Sequence, residues 1–123
     1  MAAGTSVNLD NNRLTKVAVS WTSDASGNAT EVIELNGWLI KCVTNPGASA
    51  PTANYDITLI DADGIDAAES LLINRHTTNS ESVYLLATGA PVPVLVQGSY
   101  TFTVANAGDT KNGVATFYLA ELL

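Results

Sequence analysis

NYDITLIDADGIDAAESLLINR, residues 54–75, opens as a β-strand: Tyr55, Ile57 and Leu59 fall on one side of an extended chain, Asp56 and Thr58 on the other. The alternation ends at Asp61, Asp63, Gly64 and Asp66, an acidic corner in which Asp-Gly offers the positive φ of a tight reversal. Beyond it, Ala67 to Ile73 reads either as one or two helical turns or as an irregular connection that returns an apolar patch to the core. A strand, a carboxylate-rich corner and an apolar return make scaffold rather than chemistry.

Working outward, the same period-2 pattern recurs. Val17, Val19 and Trp21 alternate with Lys16, Ala18 and Ser20, and Ser26-Gly27-Asn28 predicts a hairpin to a strand over Thr30 to Leu35. Ile33 and Leu35 occupy odd positions, whereas Trp38, Ile40 and Cys42 occupy even ones, so the phase slips by one residue. A one-residue slip turns every side chain to the other face, which predicts a bulge at Asn36-Gly37 with Trp21 and Trp38 both pointing inward. Thr44 to Ala53 reads as a loop, with Pro46-Gly47 marking a turn. Val83 to Leu86 reads as a strand, Pro91 and Pro93 as a sheet edge leading into Val94 to Val96, and Gly98 as the end of that piece. Tyr100, Phe102 and Val104 alternate cleanly, and Ala-Asn-Ala-Gly-Asp (105–109) predicts a terminal hairpin returning through Val114 to Leu122. The expected fold is all-β: an antiparallel, jelly-roll-like two-sheet β-sandwich of about 7–8 strands, with at most one short helix near 66–72.

At 123 residues with 46% hydrophobic and 14% charged residues, the chain fits one domain with a core of its own. Residues 1–12 read as an N-terminal arm and 13–123 as the β-domain. Twelve Asp and Glu against five Lys and Arg give a net charge of -7, which repels a phosphate backbone and argues against a nucleic-acid partner. No stretch has the length and apolarity of a membrane span, and MAAGTSVNLDNN lacks the basic start and apolar run of a signal peptide. The single cysteine, Cys42, flanked by Trp38, Leu39, Ile40 and Val43, reads as a buried small hydrophobe.

Candidate chemistry is sparse. Asp61, Asp63 and Asp66, with Glu69 nearby, are candidate Ca²⁺ ligands, but Gly64 comes two positions early for an EF-hand and Leu72 stands where the closing Glu belongs. A solvated Asp-Gly turn, its carboxylates bonded to local amides, is the plainer reading. His76 lies near Ser70, Ser80, Ser82 and Asp66 in sequence, yet no GxSxG elbow is present and an exposed loop histidine is the plainer reading. Glu31/Glu34 and Asp61/Asp63 read as solvated charges. Asn28-Ala29-Thr30 matches a glycosylation sequon but reads as a turn. No catalytic residue, cofactor or metal is expected. Met1, Val7 and Leu9 of the arm and Leu122 and Leu123 at the apolar end are the candidate contacts to neighbouring subunits.

NYDITLIDADGID (54–66), INRHTTNSESVYL (73–85) and GSYTFTVANAGDTKNGVATFYL (98–119) resemble small structural proteins encoded beside the capsid genes of tailed bacteriophages. The likeness spans approximately Lys16 to Leu119 and rests on the Asp-rich strand exit, the Asn-Arg pair and the Ala-Asn-Ala-Gly-Asp turn. It implies a non-enzymatic virion component, most plainly a head decoration or cement protein. Such a protein binds the major capsid protein lattice as a homotrimer on the capsid surface, after assembly in the host cytoplasm. The resemblance carries no site residue with it. A tail, connector or fibre component shares the composition, and a carbohydrate-binding β-sandwich module would need an exposed tryptophan.

Overall fold

The computed structural model describes residues 14–85 and 93–120, and among these residues six strands form the sheet. They are β1 (Leu14–Thr22), β2 (Ala29–Pro46), β3 (Asp56–Ile60), β4 (Glu81–Tyr84), β5 (Val94–Ala105) and β6 (Asn112–Ala120). Met1, Val7, Leu9, Leu122 and Leu123 lie outside the described residues. The chain is all-β and antiparallel, in the order β1-β6-β2-β5-β3, with β4 also paired to β2. Two predicted strands fuse with their neighbours, so there are fewer than expected: β2 runs unbroken for 18 residues, and β5 continues through Gly98.

β2 organises the sheet. Its first part, Ala29 to Leu39, pairs with β5. From Trp38 onward its opposite edge pairs with β6, and from Lys41 to Thr44 β4 takes over the edge that β5 leaves. The sheet bends enough that strands from opposite ends of the order meet: the rings of Trp21 in β1 and Tyr55 beside β3 lie 5.6 Å apart. Phe102 of β5 and Phe117 of β6 meet edge-on at 6.1 Å and 84°. These aromatics join Leu35, Leu39, Ile57 and Leu59 in one buried cluster, the alternate-residue faces that the period-2 pattern marks. Gly113, opposite Trp21 in the β1–β6 register, lets the indole lie flat on the strand, since a Cβ there would come within 2.8 Å of the ring.

Both predicted hairpins are overturned. β1 pairs with β6 and not with β2, and β5 and β6 are separated by β2. Among the described strands, no two that follow one another in sequence share hydrogen bonds. The turn residues do reverse the chain, but the reversals stack on each other. Ser23 N donates to Lys111 O at 2.8 Å and Ala107 N to Gly27 O at 3.0 Å. Ser23 Oγ donates to Gly108 O at 2.6 Å. Gly27 (φ 86°) and Gly108 (φ 88°) allow this approach, because a Cβ on Gly27 would stand 2.8 Å from Gly108 N. Turn chemistry fixes a reversal, and tertiary pairing chooses the partner.

The phase slip is present but lies further along than Asn36-Gly37. The register with β5 is unbroken through Gly37, and the shift against β6 falls between Leu39 and Lys41. Ile33, Leu35, Gly37 and Leu39 face inward, Ile40 is the extra residue, and Cys42 and Thr44 resume the buried phase. Trp38 is therefore not a core residue: it is 38% exposed, whereas Trp21 is buried as expected. No helix forms at 66–72. Glu69 (φ 52°) and Ser70 (φ 63°) are left-handed, which a right-handed helix excludes, and the segment is an irregular connection that sends Ala68 and Leu72 into the core.

Candidate functional site

The bulge at Ile40 creates the most distinctive surface. A bulge places two residues of one strand opposite one of its partner and re-aims their side chains. Here Ile40 and Lys41 both line a groove of about 290 Å³ on the outer side of β1, β6, β2 and β4. Two cross-strand rungs form this surface. One is apolar: Leu14 opposes Ala120, which opposes Trp38, which opposes Leu95. Leu14 is 73% exposed and Leu95 56%.

The next rung alternates cation and ring: Lys16 opposes Tyr118, Tyr118 opposes Lys41, and Lys41 opposes Tyr84. Lys16 Nζ lies 5.3 Å from the Tyr118 ring centre, and Lys41 Nζ lies 4.8 Å from Tyr118 and 5.6 Å from Tyr84. The negative ring faces hold the ammonium groups over the sheet. Among the described residues neither lysine forms a salt bridge, and the ion pair found joins Arg75 to Glu81 at 3.4 Å. Among the described residues these two cations meet aromatic rings and no acid, and they lie beside an exposed apolar rung. Scattered exposed apolar residues mean little, but contiguous ones mark contact sites. Lys16 and Lys41 stand at outward strand positions in the sequence, whereas Trp38 and Ile40 read there as inward. No spacing connects them, because they come from strands that pair only at long range.

The acidic corner is built as a turn. Asp61 Oδ1 accepts from Asp63 N and Ile65 N, both at 2.9 Å. Asp66 accepts from Leu59 N at 2.9 Å, Ala68 N at 3.0 Å and Ser70 N at 2.9 Å, tying the connection to β3. Asp63 is exposed, and among the described residues no three His, Cys, Asp or Glu side chains converge as a metal site would require. His76 is an exposed loop residue whose Nδ1 accepts from Thr78 N at 3.0 Å and Asn79 N at 2.9 Å. Ser80 Oγ instead donates to Asn45 Oδ1 at 2.7 Å, so the residues that could be drawn as a Ser-His-Asp set are not brought together. Glu31 and Glu34 are exposed on β2, where Glu34 accepts from Ser99 Oγ.

Cys42 is fully buried, and burial pushes its thiol up to about 12, with Arg75 pulling weakly the other way. It is an inert packing residue, as its flanks imply. Burial likewise raises the Tyr55 phenol. No protein-family model matches the chain, and no curated protein matches its sequence.

Proposed function

We propose that this chain is a non-enzymatic structural protein of a tailed-bacteriophage particle. In this reading it is a decoration or cement protein that binds the major capsid protein lattice as a homotrimer on the capsid surface. The observation that carries the reading is the exposed double rung, Leu14-Ala120-Trp38-Leu95 beside Lys16-Tyr118-Lys41-Tyr84, set on a hydrogen-bonded sheet. Such a face offers apolar area, aromatic anchors and charge on a rigid support, which is what lattice contacts draw on. The resemblance of residues 54–66, 73–85 and 98–119 to phage structural proteins supplies the setting. We further propose that the bent sheet works as a jelly-roll-like two-layer sandwich. The meeting of Trp21 with Tyr55 and the lack of pairing between successive described strands both favour it. The test is co-sedimentation with heads assembled from the capsid protein encoded beside this chain, followed by electron microscopy. Ordered density on the head surface is expected; density confined to tails, or no binding, refutes the assignment.

The exposure of Trp38 favours a second reading, a carbohydrate-binding module, because aromatic platforms stack on sugar rings. With Trp21 replaced by Phe, Trp38 reports alone, and soluble glycans that leave its fluorescence unchanged eliminate this alternative.

A further inference from the structure

We propose that the Lys/Tyr groove receives the 61–73 connection of a second copy of this chain, in a head-to-tail contact. The inference deepens the oligomer of the preceding reading and rests on that reading. The groove asks for an occupant that joins apolar side chains to carboxylates. Its lining pairs Ile40 and Leu14 with Lys16 and Lys41, whose charges meet aromatic rings and, among the described residues, no acid.

The 61–73 connection has that complementary character. Ile65 is 62% exposed between Asp63 and Asp66, and Leu71 and Ile73 are exposed further along. Asp61 and Asp66 bond the amides of their own turn, so the connection is braced as a projecting knob before any partner arrives. The knob is anchored to β3, with Ala67 N donating to Leu59 O at 2.7 Å and Ile57 N to Leu72 O at 3.0 Å. β3 pairs with β5 and with none of the strands β1, β6, β2 and β4 that form the lysine rung, so groove and knob are built from separate residues. Groove and knob are different patches, which makes the contact heterologous. Repeated through a rotation that closes, it gives a ring, and three copies satisfy the trimer.

Sedimentation velocity over a concentration series tests the contact with Lys41→Glu, Asp63→Lys, Ile65→Glu and the double variant Lys41→Glu/Asp63→Lys. Of the three positions Asp63 and Ile65 are exposed and Lys41 is half-buried, and circular dichroism checks that each variant folds. The wild type should self-associate, each single variant should weaken association roughly tenfold or more, and the double variant should recover to within about threefold. A wild type that stays a single chain overturns the contact. So does a loss with Lys41→Glu that Asp63→Lys neither reproduces nor repairs. Capsid binding is scored separately: chains that associate as described but ignore capsids refute the capsid assignment alone, and capsid binding by an unassociated chain refutes this contact alone.

Discussion

Alkaline titration should weaken the fold through one buried thiol. Cys42 loses its proton near the ordinary value of 9.0 in an unfolded chain, but in the native protein burial holds it until about 12. Between those values the unfolded chain binds fewer protons than the native one, so stability is complete below the lower value and falls as pH rises toward the upper. The linkage gives a loss of about 1 kcal/mol at about pH 10 and about 3 kcal/mol at about pH 11. Replacing Cys42 by Ala removes this dependence, at the cost of a small cavity worth about 1 kcal/mol near neutrality. Urea midpoints measured for both proteins across this range report mainly the thiol, because the burial that chiefly raises Tyr55 is common to the two and Cys42 is only a minor cause of its shift. The stability gap should narrow with rising pH and then reverse in favour of the alanine protein. Curves that stay parallel, or a thiol reagent that labels Cys42 faster than the protein unfolds, would refute the reasoning.

Deleting Ile40 should leave a folded protein, destabilised by roughly 1–3 kcal/mol, because Leu39 and Lys41 already face consecutive residues of β6. Deleting Gly37 should abolish folding, since it moves Leu39 from the core to the outer face; far-UV circular dichroism with urea melts separates the two. Asp66→Ala removes the acceptor for three amides and should cost about 2–4 kcal/mol, whereas Asp63→Ala should stay within about 0.5 kcal/mol by the same melts. Phe117→Ala should cost about 3–5 kcal/mol, because a fully buried ring and its edge contact with Phe102 are lost together. Acrylamide should quench Trp38 and spare Trp21, as read from the two single-tryptophan variants.

Local pattern was enough for the strands and most of the core. Tyr55, Ile57 and Leu59, then Phe102 and Val104, are buried as their alternation requires, and the Asp61 and Asp66 carboxylates bond local amides as turn chemistry suggests. Pairing was not legible, because Ser26-Gly27-Asn28 and Ala-Asn-Ala-Gly-Asp specify only that the chain turns back. Whether β1 then meets β2 or β6 depends on loop-to-loop bonds such as Ala107 N to Gly27 O, which join distant residues. The bulge shows a subtler failure. The slip itself was readable, but Trp38 and Ile40 counted as core by hydrophobicity, and that assignment pulled the break toward Gly37. An exposed tryptophan breaks the rule linking apolarity to burial, and such exceptions gather where a protein meets partners. The recognition face stayed hidden for the same reason as the pairing, since the sequence does not place Lys16 beside Tyr118.

The placement of β6 between β1 and β2 has a consequence for biogenesis. The first strand waits for a neighbour encoded roughly 100 residues later, a delay on the order of 5–20 s at ordinary translation speed. Until then the nascent polypeptide has no native resting place for Val19 and Trp21, and folding as the chain emerges stalls short of the finished body. A fragment truncated before Asn112 should accordingly stay unstructured and attract chaperones, and maturation should be a slow event that waits for β6 to emerge.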